Sequence, residues 1–186
     1  MNISKFFRNF KGHLKTINAH KMLVMKYCFR VGLYRQGLLH DLSKYSLNEF
    51  IPGVIYYQGD RSPNNAQREA EGCSGAWLHH KGRNKHHYEY WIDYPTNKSE
   101  GLVGMEMPVR YVVEMFCDRV AASKNYNKEK YKDSDALDYF LKGRSHYVIH
   151  PRTEALLFKL LKMLAERGEE YTFAYIRKKV IKRHIF

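Results

Sequence analysis

Cysteine, proline and acid are all scarce in this chain. Its 186 residues include 3 cysteines and 5 prolines, and 19 Asp and Glu stand against 32 Lys and Arg. Cys28, Cys73 and Cys117 are odd in number and show no C-x-x-C spacing. This argues against a disulfide framework or a cysteine-rich zinc site, and a reducing cytoplasm is the simplest expectation. No apolar run approaches the roughly 20 residues of a membrane-spanning helix. The opening stretch, MNISKFFRNFKGHLK, has charges among its apolar residues and lacks the h-region of a signal peptide. No repeat, low-complexity tract or Pro/Gly-rich linker divides the chain, so one domain over residues 1–186 is expected.

The shortage of acid leaves a formal net charge of +13. Such a charge favours anionic partners: phosphates, nucleotides, nucleic acid or a membrane surface. Aromatic residues make up 15% of the chain, enough apolar area to offset chain entropy and argue against disorder.

Nearly every long segment has the helical period, and no alternating strand pattern of useful length occurs. The fold class expected is all-α, a bundle of six to eight helices. A first helix spans about Phe10 to Tyr34, with a stop at Gly37 and His20 near its apolar stripe. A second carries LLHDLSK. Ser46 and Glu49 have capping-box spacing, so another starts at Ser46 and is disturbed early by Pro52 and Gly53. One more runs from Pro63 to about Lys81. Pro108 opens PVRYVVEMFCDRVAASK, and DSDALDYFLKG and HPRTEALLFKLLKMLAERG are each closed by a glycine. YTFAYIRKKVIKRH makes a basic last helix.

Two features carry chemistry. Histidine occurs 10 times, and four of these fall in HHKGRNKHH, residues 79–87. Imidazole suits Zn, Fe, Ni, Cu and Mn. His40 and Asp41 follow two leucines, and both are costly to bury. Adjacent helical residues project about 100° apart, so they share no stripe, yet both can reach an ion lying between their directions. A divalent cation there would offset burial costs of several kcal/mol. Asp118 lies beside the core stripe of the Pro108 helix.

His20, then His40-Asp41, then Asp118, in that order and on helices, resembles the HD superfamily of metal-dependent phosphohydrolases. HKMLV at residues 20–24 is similar to that family's first-histidine helix, and HDLSK at 40–44 to its H-D-[IL]-x-K. H-H-x-x-x-N-x-H-H followed by Glu89 resembles a poorly characterised HD-like family of small helical proteins. The resemblance covers about residues 13–125; no motif covers the helical extension from about 133 to 186. It implies metal ligands His20, His40, Asp41 and Asp118, joined by His80 and His86, with His79 and His87 as alternatives. Asn84 and Glu89 would orient them. Catalytic roles would fall to Asp41, Lys44 and His87, the last as an unliganded imidazole protonating the leaving group.

The implied cofactor is one or two divalent ions, with Mn, Fe, Ni, Zn and Mg all open. The implied reaction is hydrolysis of a nucleotide or other small phosphate ester, with Lys44, Arg83 and Lys85 supplying positive charge. HD-like scaffolds also include a di-iron oxygenase. A different class of reading is a non-catalytic nucleic-acid-binding protein. Arg177, Lys178, Lys179, Lys182 and Arg183 would then contact phosphates near Tyr171 and Tyr175. The alternative is that Phe173, Ile176, Val180 and Ile181 pack inward while the cations face water. At the N-terminus, Phe6, Phe7 and Phe10 stand among Lys5, Arg8 and Lys11. They either lie at a membrane interface or dock on the domain or on a second subunit, making a homodimer.

Overall fold

The computed structural model describes residues 2–97, 99 and 101–182. Helix α1 (Ile3–Val31) is capped by Asn2, whose side chain accepts the Lys5 N–H at 2.8 Å. It stops at Gly32, which takes φ 89°, a left-handed conformation that favours glycine. The expected stop at Gly37 is not used. Gly37 is buried inside α2 (Tyr34–Leu39), where a β-carbon would press on Cys28 and Phe29 of α1. That glycine serves close packing rather than termination.

The continuous helix expected through LLHDLSK does not form. α2 ends at Leu39, His40 takes φ −52° and ψ 128°, and Asp41 turns left-handed at φ 54°. A 3-10 turn, Leu42–Tyr45, follows. The expected capping box is also missing. α3 (Leu47–Ile55) starts after Ser46, but the Ser46 side chain makes no cap bond. Pro52 sits within α3 without ending it, and Gly53 admits the His13 imidazole of α1 where a β-carbon would overlap the ring.

The single helix expected over 63–81 is two. α4 (Pro63–Glu71) is stopped by Gly72 at φ 77°, and α5 (Gly75–Lys81) is started by Ser74, whose Oγ accepts from the Trp77 N–H. Within the irregular stretch, β1 (Ile92–Asp93) pairs antiparallel with β2 (Val103–Gly104). Then come α6 (Val109–Asn127), α7 (Asp135–Gly143) and α8 (Pro151–Tyr175). Gly168, at φ 73° and ψ 174°, is non-helical and closes the first part of α8 as expected; beyond this kink the chain resumes as a helix and passes into a π-helical stretch, Ile176–Ile181.

The described residues thus make an all-α domain of eight α-helices, with that one short strand pairing. One core is shared by α1 (Val24, Tyr27), α6 (Val113, Phe116), α7 (Phe140) and α8 (Leu157, Leu161, Phe173). The C-terminal third therefore builds the same core as the motif-bearing part. Each such Leu, Val or Phe contributes about 1.5–3 kcal/mol by leaving water. Ile176, Val180 and Ile181 are buried too, and Arg177, Lys178, Lys179 and Lys182 face solvent. Arg183 lies outside the described residues. A smaller cluster of Ile17, Phe50 and Val54, with Phe6 packed on it, joins the start of α1 to α3. No described helix is long and apolar enough to cross a membrane.

Candidate metal centre

α1 packs against α6 and α2, and Glu114 of α6 meets His40 at the break between α2 and the 3-10 turn. This brings His20 of α1 and Asp118 of α6 to His40 and Asp41. His20 Nε2 lies 2.9 Å from Asp118 Oδ1, and His40 Nε2 lies 3.3 Å from Asp41 Oδ2. His40 Nε2 is 3.6 Å from Asp118 Oδ1, and His20 Nε2 is 3.8 Å from Asp41 Oδ2. On the other side of Asp41, its Oδ1 lies 3.3 Å from His80 Nε2 and 3.4 Å from His86 Nε2. His87 completes this second group. Asp41 thus turns one oxygen to each group. Cis ligands on a cation with bonds of about 2.1 Å lie about 3.0 Å apart in an octahedron and about 3.4 Å in a tetrahedron. The observed separations suit such a cation.

The left-handed backbone of Asp41 explains how two consecutive residues meet at one place. On a continuous helix they would diverge by about 100°. A non-glycine residue in this conformation costs on the order of 1 kcal/mol, a strain that persists where surrounding structure enforces it.

Carboxylates behind the imidazoles decide which nitrogen faces inward. Glu114 Oε1 lies 3.0 Å from His40 Nδ1 and 3.3 Å from His86 Nδ1. Glu49 Oε2 lies 2.7 Å from His80 Nδ1, and its Oε1 lies 2.6 Å from His79 Nδ1. A carboxylate only accepts, so each Nδ1 carries the proton and each Nε2 presents a lone pair. Those lone pairs point at carboxylate oxygens. The Nε2 atoms of His40, His86 and His87, and Oδ1 of Asp41, are buried without a hydrogen-bond partner, while Asp41 Oδ2 is met by Lys44 and His20 Nε2 by Asp118. Lone pairs buried face to face repel unless a cation or proton lies between them. This donor set fits a metal.

The electrostatics agree. Burial would raise the pKa of Asp41 and Asp118, but facing imidazoles, and Lys44 beside Asp41, hold both well below the carboxylate range. Glu114 is buried as well, yet His40 and His86 draw it down to about 2. Burial opposes charge on His40, but Asp41, Asp118 and Glu114 outweigh that and raise its pKa well above the usual value, so without a cation a proton takes that place at its Nε2. Burial, then His86 and His80, push His87 well below, so it stays neutral. Four carboxylates (Asp41, Glu49, Glu114, Asp118) against one ammonium, Lys44, leave a charge of −3 for protons or cations to neutralise.

Both groups border a cavity of about 720 Å³, lined by Lys44, Arg61, Arg68, Arg119, Tyr126 and Tyr139 among others. That size suits a small-molecule ligand. Lys44 Nζ stands 2.6 Å from Asp41 Oδ2.

The six first-choice metal-ligand candidates therefore converge: His20, His40, Asp41, His80, His86 and Asp118. Lys44 and His87 join them at the cavity. His79 turns to Glu49 instead, because α5 ends at Lys81 and the two histidine pairs lie on different backbones. Asn84 donates to the His80 carbonyl and to Ser43 Oγ, both at 2.8 Å. Glu89 reaches the cavity wall, not a ligand imidazole. Arg83 and Lys85 do not line the cavity; both are exposed, and Lys85 lies over the Tyr90 ring. The cations that do line it beside Lys44 escape sequence reading, as do Glu49 and Glu114. Glu114 had a signal: a lone acid in an apolar run, one helical turn before Asp118.

Because Glu114 holds two imidazoles, Glu114→Gln weakens divalent-metal affinity about tenfold, the size expected for a partner behind the ligands. Competition against a chromophoric chelator measures this, and unchanged affinity contradicts the role.

No curated protein and no solved structure matches the chain. A family model described as a family of unknown function (DUF5662) matches residues 9–163, which hold both ligand groups and the carboxylates behind them. That match spans most of the chain, and the protein belongs to the DUF5662 family.

Proposed function

We propose that the chain is an HD-like metalloprotein that hydrolyses a small phosphate ester, a nucleotide or a related compound, in the cytoplasm. The observation that carries the reading is Asp41, buried between two sets of imidazole nitrogens, its Oδ1 without a hydrogen-bond partner and its Oδ2 ion-paired to Lys44. His20, His40, Asp41 and Asp118 would hold one divalent cation, and His80, His86 and Asp41 would hold a second. When bound, such ions supply Lewis acidity to a phosphoryl oxygen and lower the pKa of a water molecule. The residues around them do the rest. Lys44, fixed by Asp41, faces the cavity with its charge, where it stabilises negative charge gathering on phosphoryl oxygens. Arg119 stands on the same wall, stacked against Phe140 and Tyr147. His87, which burial keeps neutral, lines the cavity with its Nε2 unpartnered, where it serves as the proton carrier. The three free cysteines, two of them buried, suit a reducing compartment.

The test is a panel of phosphate monoesters and nucleotides, with Mn, Ni, Fe, Zn or Mg added to chelator-treated protein. Phosphate release that depends on the added ion is the expected result. Oxygen uptake with ferrous ion and no phosphate release would replace this reading with the oxygenase one.

A further inference from the structure

Residues 1–40 contain eight lysines and arginines and no aspartate or glutamate; the first acid of the chain is Asp41. Arg30 is answered by Glu169 and Glu170 of α8, and Lys21 donates to the carbonyls of Leu38 and His40. Among the described residues, the other six (Lys5, Arg8, Lys11, Lys15, Lys26 and Arg35) form no ion pair, and all six are exposed. A cationic segment this long without a carboxylate is not built to neutralise itself.

The same segment exposes apolar side chains. Ile3 is 78% exposed, Phe7 59% and Leu47 75%, and Leu38, Leu39 and Leu42 are about half exposed. These are not scattered. At about 100° per residue, Ile3, Phe7, Phe10, Leu14 and Lys21 fall in one narrow sector of α1, beside its buried face. Three contacts set the neighbours along that sector. Phe10 stacks on Phe50 of α3 at 5.1 Å, Tyr45 donates to Asn18 Oδ1 at 2.7 Å, and Lys21 Nζ reaches the Leu38 carbonyl at 2.9 Å. These contacts set the segments that carry the exposed Leu47, Leu42 and Leu38 beside the sector that carries Ile3 and Phe7. Lys11, Lys15, Arg8 and Lys26 fall in the adjoining sector, toward solvent.

We propose that the face built by α1, α2 and the start of α3 docks on an anionic phospholipid surface. An apolar stripe edged by cations is the pattern of a protein lying in the headgroup boundary, its apolar side chains inserted and its cations near phosphates. Two other occupants fit worse. Nucleic acid would use the cations but has no apolar surface for leucine and isoleucine, since its bases stack on rings. A second copy would meet this face with itself, cation against cation. Phe6 and Phe10 partly dock on the domain, so the sequence's two readings of these phenylalanines divide between them.

Flotation of the full chain with vesicles tests this, using phosphatidylserine mixed with phosphatidylcholine against phosphatidylcholine alone. Binding to the anionic vesicles that weakens with salt is expected. Each cation near the surface adds about fivefold, so Lys11→Glu with Lys15→Glu lowers binding at least tenfold. Phe7→Glu with Leu47→Glu does the same while circular dichroism and melting stay unchanged, because both side chains are exposed. Absence of binding to anionic vesicles at low salt overturns the proposal. So does equal binding to neutral vesicles, or binding by the Phe7/Leu47 variant as tight as by wild type. A dimer in sedimentation that Leu47→Glu dissociates, without vesicle binding, assigns the face to self-association instead.

Discussion

Replacing Asp41 by asparagine empties both halves of the centre, whereas His20→Ala or His86→Ala empties mainly one. The expectation rests on the division of the Asp41 oxygens, Oδ2 toward His20 and His40, Oδ1 toward His80 and His86. Asparagine keeps the shape but removes the charge and turns one oxygen into a donor, which faces imidazole lone pairs instead of a cation. Elemental analysis of protein purified without added metal reads the effect. Wild type carries up to about two ions per chain, and Asp41→Asn falls to trace amounts, since metal held by a folded site depends on every charged ligand. The two histidine variants fall to about half. Equal losses in all three would mean a single cooperative ion and would refute the shared-carboxylate arrangement. Equal contents in wild type and Asp41→Asn would remove the metal altogether. Circular dichroism on each variant separates ligand loss from unfolding.

Lys44→Met lowers turnover about 100-fold while metal content stays at the wild-type level, in the range seen when one preorganised charge-stabilising group is removed. Lys44 reaches the site from the 3-10 turn immediately after Asp41, so one short segment delivers the shared carboxylate and the cation beside it. Its pKa is raised above the ordinary lysine value, because Asp41 and Asp118 outweigh the cost of burying it. It therefore stays charged at any working pH. Turnover of the best phosphate ester from the panel reads the effect, with KM and metal content measured alongside. A fall in KM affinity alone would make Lys44 a substrate anchor only. Loss of metal in parallel with activity would make it a structural partner of Asp41.

The helical period made α1, α6, α7 and the two parts of α8 on either side of Gly168 legible, since each carries an apolar stripe. Ends were less so. Gly32 and Gly37 are both glycines after an apolar run, and only packing tells the cap from the close approach. Ligands could be named because their order along the chain resembles a known arrangement and their residue types are costly to bury unpaired. The way they converge could not. A left-handed Asp41 has no local signature, so His40-Asp41 reads as helix although the helix ends one residue earlier. Glu49 shows the same limit from the other side. Its spacing from Ser46 is that of a capping box, but the carboxylate holds His79 and His80, which arrive from 30 residues away in sequence. Arg83 and Lys85 neighbour the histidines in sequence and face solvent in space, while Arg61, Arg68 and Arg119 come to the cavity from three other places. Charge near a motif in sequence is thus a poor guide to charge near a site.

Anomalous diffraction from crystals of protein purified with its native metal tests the central claim most directly. Two peaks should flank the Asp41 carboxylate, one among His20, His40 and Asp118 and the other near His80 and His86. Density showing Asp41 hydrogen-bonded to protonated imidazoles, with no anomalous peak within ligand distance of it, would contradict the account.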